Sequence, residues 1–260
     1  MAASTGETTD QADGPDAGRP AATGPPKPTE RDKARRPHSM LRETGGIVLT
    51  ALIVSLLVKT FLVQAFYVPS GSMEPTLHGC PGCRDDRIMV SKLTTHVGGI
   101  HRGDVVVFHD RFGWLPEQPA ATAGVRGHLH SFLTYIGLAP ASADNDLVKR
   151  VIAVGGDTVV GRGGAVYVDG AKLTEPYVAE GSSPARQPFR VTVPPGSLWV
   201  MGDNRDASAD SRAHMEGPGH GFVRVADVVG RAFAVVWPLD RATILHRPPT
   251  FDQPALQHQS

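Results

Sequence analysis

The stretch LVKRVIAVGGDTVV, residues 147–160, reads as two β-branched runs set apart by the turn Gly155-Gly156-Asp157. Branched side chains suit an extended, half-buried backbone, whereas glycine and aspartate supply the conformations that a reversal needs. The same alternation recurs on both sides of this stretch: Ile88 to Val90, Val105 to Phe108, Ala165 to Val168, Phe189 to Val193, Leu198 to Met201 and Phe233 to Trp237 are short β-rich runs. Asp169-Gly170, following Val-Tyr-Val, predicts a tight hairpin, and Pro194-Pro195-Gly196 predicts another reversal. One segment differs. Val125, Leu129, Phe132, Leu133 and Ile136 fall on one helical stripe, which predicts a short surface helix within an insertion over 110–146. Strands and helices do not alternate, so a parallel α/β fold is not expected. The fold class read from the sequence is mainly β, an antiparallel sheet domain.

Composition fits this reading. The 260 residues include 29 glycines and 22 prolines, about a fifth of the chain, a turn-rich level below that of a wholly disordered one. A net charge of zero removes the electrostatic case for a nucleic-acid partner, and two cysteines cannot build a disulfide scaffold or a multi-zinc module.

The N-terminal residues are of another kind. Between Ala2 and Ser39 there is no Val, Ile, Leu, Met, Phe, Tyr, Trp or Cys, so residues 1–43 are expected to form a disordered tail that becomes basic toward its end. An apolar stretch over 44–66, interrupted by Lys59, is expected to form a single transmembrane anchor. Lys59 would snorkel toward an interface, since at mid-bilayer it would cost about 2.5 to 3.5 kcal/mol. Arg31, Lys33, Arg35, Arg36 and Arg42 precede the run, and no Lys or Arg follows from Thr60 to Gly82. The tail is therefore expected in the cytoplasm, with residues 67–240 outside the membrane as the folded domain and 241–260 as a C-terminal tail. The competing reading is a cleaved secretory signal ending at Val63-Gln64-Ala65. A leader of about 40 residues and an apolar run longer than the usual 7 to 15 or so speak against it.

Three segments carry chemistry. Tyr67-Val68-Pro69-Ser70-Gly71-Ser72-Met73-Glu74-Pro75 sets two serines in an exposed turn where backbone N–H groups can point at an anion, as a nucleophile and its oxyanion site require. A serine needs a base, and no histidine stands in a Gly-x-Ser-x-Gly or His-Glu-x-x-His context. Lys149 interrupts an apolar run and shares a strand face with Leu147, Val151 and Ala153; buried there, it would lose its proton more easily. An edge-strand lysine reaching into solvent is the alternative. In Gly202 to Arg212, Asp210 and Arg212 can pair and Ser208 can orient a neighbouring amine, whereas the spacing does not suit a calcium loop.

Taken in order, PSGSMEPTL (69–77), RGDVVVF (102–108), KRVIAVGGD (149–157) and GDNRDASADSR (202–212) after an apolar segment resemble bacterial type I signal peptidase, over most of residues 45–240. The resemblance implies a membrane-bound, monomeric serine endopeptidase of largely β architecture, acting on the signal peptides of exported preproteins at the outer face of the cytoplasmic membrane, without metal or cofactor. It places the nucleophile on Ser72, the general base on Lys149, the oxyanion donors on the Ser70 hydroxyl and the Ser72 backbone N–H, the lysine-orienting hydroxyl on Ser208 and the supporting pair on Asp210 and Arg212. Small side chains at the first and third positions before the cut imply shallow apolar pockets, matched to Phe66, Val68, Met73 and Val148. The extended substrate is expected along strand edges near Pro69 and around Ile88 to Val90. Ala207 stands where the family often has Asn, Ala213 to His220 replaces a shorter link, and the 110–146 insertion is long.

Cys80 and Cys83, on the expected outer side, suggest a local disulfide, with free thiols or a redox pair as alternatives. Two other functions compete: a catalytically silent anchored scaffold for extended segments, and an anchored hydrolase using a histidine such as His78.

Overall fold

The run 147–154 lies within a nine-residue strand, Asp146–Val154, buried along almost its whole length. In chain order the strands are β1 Val63–Tyr67, β2 Arg87–Ser91, β3 Val105–His109, β4 Asp146–Val154, β5 Thr158–Arg162, β6 Ala165–Val168, β7 Ala171–Lys172, β8 Phe189–Thr192, β9 Ser197–Met201, β10 Phe222–Arg224, β11 Val228–Trp237 and β12 Thr243–Ile244. Helix α1 spans Pro37–Phe61 and the short α2 spans Pro254–Gln257. This computed structural model describes residues 37–79, 82, 84–93, 98–115 and 145–257. The expectations for the tail before residue 37, for Cys80 and Cys83, and for a helix over 125–138 lie outside the described residues.

Among the described residues all pairings are antiparallel. One sheet runs β1-β2-β11-β3-β4-β9-β10 with β12 added to β11, and a smaller one runs β7-β6-β5-β8. Every β-rich run read from the sequence is a strand. The Asp169-Gly170 hairpin joins β6 to β7 with both residues at positive φ, 48° and 83°, the backbone that matches the natural twist of the two strands. The two sheets share a core in which Ile152, Val159, Val166, Trp199 and Met201 are fully buried.

Four differences from the sequence reading have physical causes. The apolar stretch 44–66 divides at Leu62: α1 ends at Phe61, and Val63–Tyr67 is an edge strand paired with β2, its Phe66 packed into the core. Pairing with β2 satisfies the backbone of this segment and buries Phe66 in the sheet's core rather than in lipid. Among the described residues no helix is long and apolar enough to cross a membrane. Second, β2 is hydrogen-bonded to β1 on one side and β11 on the other, so Ile88 to Val90 is not an open edge. Third, residues 241–260 are not simply a tail. Arg241 donates to the buried Asp86 at 3.0 and 3.1 Å, β12 pairs with β11, and Phe251 and Leu256 enter the shared core. Fourth, a register irregularity between Val151 and Ala153 turns Ala153 into the shared core with Ile152, while Leu147 and Val151 stay in a separate cluster.

At the neck of the insertion, Asp110 N donates to Asn145 O at 2.8 Å, and the Asp110 carboxylate accepts from the backbone of Trp114 and Leu115.

Candidate active site

Strand β1 delivers the chain into an extended Val68-Pro69-Ser70, and a single 3-10 turn, Gly71–Met73, follows. Ser70 occupies the N-cap of that turn, but its hydroxyl makes no capping bond. It lies instead 3.2 Å from Ser72 Oγ. Ser72 and Met73 are buried in the turn, and Met73 packs with Phe66, Val68 and Val148 in one cluster that also holds Leu77 and Ile88. The four pocket residues read from the sequence are thus neighbours, though each is at most 7% exposed.

Lys149 approaches from the middle of β4. Its Nζ donates to Ser72 Oγ at 2.8 Å and to the carbonyl of Val148 at 3.1 Å. The side chain is only 2% exposed, and loss of hydration lowers its pKa from 10.5 to about 8, with Asp210 and then Asp203 acting in the opposite direction. Among the described residues Ser72 Oγ therefore meets Ser70 and Lys149 rather than a histidine; His78 sits on the loop beyond, where its backbone N–H donates to Asp86.

The segment after β9 forms the back of the site. Gly202 is crowded: a Cβ there would stand 2.3 Å from Ser208 Oγ and 2.4 Å from the Ser72 carbonyl oxygen, so only glycine lets the two segments touch. Asn204 clamps the serine turn twice, its N–H donating to Ser72 O at 3.1 Å and its Nδ2 to Gly71 O at 3.2 Å. Asp210 accepts from Gly202 N at 2.9 Å and from Arg212 through Nε and Nη2 at 2.9 and 2.8 Å, the pairing expected from the sequence. Ser208 is brought against Gly202, yet its Oγ is buried without a hydrogen-bond partner among the described residues, so the expected bond to the lysine is not formed.

Beneath these lies a buried charge network to which the sequence reading gave no role. Arg150 makes a bidentate pair with Asp203, Thr76 Oγ1 donates to Asp203 at 2.5 Å, and Arg205 pairs with Glu175. The available signal was a second cation beside Lys149 in an apolar strand, which has to find a carboxylate once it is buried. Among the described residues no group of three or more His, Cys, Asp or Glu side chains is placed to hold a metal ion.

A serine hydroxyl in contact with a buried lysine of lowered pKa is an arrangement able to activate a nucleophile. The family Signal peptidase, peptidase S26 matches residues 41–237. The chain belongs to this family. It is 41% identical over 242 residues to the signal peptidase I of Mycobacterium tuberculosis, covering 85% of this chain and 78% of that protein. It is 39% identical over 245 residues to a probable signal peptidase I of Mycobacterium leprae, covering 85% and 82%. A crystal structure of a signal peptidase I from Enterococcus faecalis superposes with a TM-score of 0.33 at 26% identity, over 52% of this chain and 97% of that one. The protein is a serine endopeptidase of the signal peptidase I class.

Proposed function

We propose that this signal peptidase removes N-terminal signal peptides from exported preproteins with Ser72 as nucleophile and Lys149 as general base. The 2.8 Å contact of Lys149 Nζ with Ser72 Oγ, at a fully enclosed lysine, carries the reading. A neutral Lys149 takes the Ser72 proton as Oγ bonds to the scissile carbonyl carbon, and the carbonyl oxygen becomes an anion held by the Ser70 hydroxyl and the Ser72 N–H. The lysine then gives its proton to the leaving amine as the C–N bond breaks, leaving the signal peptide as an ester on Ser72. Water, deprotonated by Lys149, hydrolyses that ester and frees both residues. Asp210 and Arg212 hold the 202–212 segment against the serine turn, and Ser208 limits where the amine can swing. Phe66, Val68, Met73 and Val148 wall the shallow pockets that select small residues at the first and third positions before the cut. The extended substrate pairs along the open side of β1 near Pro69.

The catalytic domain is held at the membrane by α1, with its N-terminal side cytoplasmic. The uncharged run from Thr44 to Val58 and the basic residues before it support this, as do Ile47, Leu49 and Leu52, each at least 60% exposed. With the boundaries set by the strands, the anchor is 44–61 and the catalytic domain begins at Val63.

The test is incubation of the detergent-solubilised full chain with a model preprotein carrying Ala at both specificity positions, followed by mass determination of the products. Cleavage directly after the second Ala is expected, and Ser72→Ala and Lys149→Ala each abolish it while keeping the wild-type circular dichroism spectrum. Normal turnover by either variant overturns the mechanism. Release of the protein from membranes by alkaline carbonate overturns the anchor.

A further inference from the structure

Away from Ser72, an open pocket of about 570 Å³ lies where β1, β2, β11 and the segment after β12 meet. Its floor is a cross-strand row. Val63 opposes Ser91 and Ser91 opposes Arg231, so the three side chains leave the sheet on the same face. The lining combines the basic Arg231, His246 and Arg247 with the apolar Val63, Phe233 and Ile244.

Among the described residues the basic side chains of the lining are under-compensated. Arg231 Nη1 and Arg247 Nε both turn to a single oxygen of Asp104, at 3.5 and 3.3 Å. The other oxygen of Asp104 accepts from the backbone of His101 at 2.9 Å. Among the described residues, one carboxylate against two guanidinium groups leaves a positive charge over. Moreover, Arg231 Nε is buried without a hydrogen-bond partner among the described residues. A guanidinium has five donors in a planar fork suited to phosphate, and a shielded donor with no acceptor is costly to maintain.

The apolar part of the lining narrows the choice of anion. Ile244 is 64% exposed, and Val63 follows by two residues the end of the helix proposed as the anchor. A free phosphate would use the arginines alone. An amphiphile whose phosphodiester meets the arginines and whose glycerol and first methylenes lie on Val63, Phe233 and Ile244 would use both. The geometry points to a binding site for the headgroup of an anionic phospholipid, formed by Arg231, His246 and Arg247 beside the base of α1. The choice of a lipid rests on the membrane-anchored reading above; the choice of a phosphate-bearing anion does not.

The test uses the full chain in detergent, offered phosphatidylglycerol, phosphatidylcholine or inorganic phosphate, with bound lipid counted by native mass spectrometry. One phosphatidylglycerol is retained in preference to phosphatidylcholine and is not displaced by inorganic phosphate. Replacing Arg231 and Arg247 by Gln weakens its retention by about fivefold for each guanidinium removed. Circular dichroism checks the fold of the double variant; if that variant unfolds, Arg247→Gln alone, at an exposed position, carries the same reading. Equal retention of the two lipids, or unchanged retention in the variants, overturns the site. Displacement by an equal concentration of inorganic phosphate overturns the lipid and leaves a free-anion site. Because retention is read in detergent, it is separate from the anchor: release by carbonate with the lipid preference intact removes the anchor and keeps the pocket.

Discussion

Arg150 and Asp203 form a buried bidentate pair, Nε to Oδ1 at 2.8 Å and Nη2 to Oδ2 at 2.6 Å, one residue along the strand from Lys149. The pair joins β4 to the segment that backs Ser72, and Thr76 adds its hydroxyl to the same carboxylate. Asp203→Asn leaves a guanidinium enclosed without its counter-charge, which costs about 3 to 5 kcal/mol of folding stability. The same carboxylate raises the pKa of Lys149, so its loss also makes the lysine easier to deprotonate. Denaturant unfolding reads the first effect. The second appears as an acid limb of kcat/KM displaced to lower pH.

The wild-type profile follows from the lysine itself. Burial brings its pKa to about 8, and only the neutral amine can accept the serine proton. Activity on a model preprotein therefore rises tenfold per pH unit well below 8 and levels off above it. Asp210→Asn removes the larger of the two opposing charges and moves that limb to lower pH. A profile centred near 6.5, the ordinary range of histidine, would contradict the assignment.

The same shift affects stability. Below about pH 8 the lysine is charged in both folded and unfolded chains, and the folded one bears the full cost of burying it. Between 8 and its ordinary 10.5 the unfolded chain binds the extra proton, so stability rises with pH across that window. Lys149→Met lacks this dependence. Its stability advantage over wild type should be greater at pH 7 than at pH 11 by about 3 kcal/mol, measured by urea unfolding at both values.

Much of the fold was legible because the β-runs are short, branched and bounded by glycine, proline or aspartate. Period two and turn chemistry are local properties, and the Asp169-Gly170 hairpin follows from them alone. What failed was non-local. Phe66 reads as the last residue of an apolar stretch, and only its pairing with Ile88 makes it a core residue of an edge strand. In the site, Ser72 and Lys149 stood out as unusual residues in their settings. Asn204 did not, because its two bonds to the serine turn cross 132 or more residues of sequence and polar residues in a loop are unremarkable. Arg150 was overlooked for a similar reason, since its partner lies 53 residues away.

The close approach of Gly202 to Ser72 gives a sharper test of positioning. A methyl group at 202 would have to displace the Ser72 carbonyl and the Ser208 hydroxyl together, and misplacing a nucleophile by about 1 Å costs on the order of a hundredfold in rate. Gly202→Ala is expected to lose about that in kcat with KM little changed. Asn204→Ala keeps the backbone bond to Ser72 and forfeits only the side-chain bond to Gly71, so its loss should be smaller, about tenfold or less. Steady-state kinetics on both variants gives the ranking, and equal activity of Gly202→Ala and wild type would refute the positioning role.

The C-terminal segment offers the last test, because sequence and structure disagree there most plainly. Read as a tail, residues 241–260 could be removed at little cost. In the fold, Leu256 is 1% exposed among Val159, Val166 and Trp199 in the shared core, and its carbonyl accepts from Arg102, which also pairs with Asp157 in the turn after β4. Leu256→Ala opens a cavity where two elements distant in sequence meet, and is expected to cost about 2 to 5 kcal/mol. Thr243→Ala, at an exposed position of β12 in the same segment, serves as the control, with an expected change within about 0.5 kcal/mol. Equal unfolding midpoints for the two variants would restore the tail reading. A large difference would mean that a truncation removing Leu256 loosens the core shared with Ile152 and Ala153 of β4 and, through that strand, the seat of Lys149.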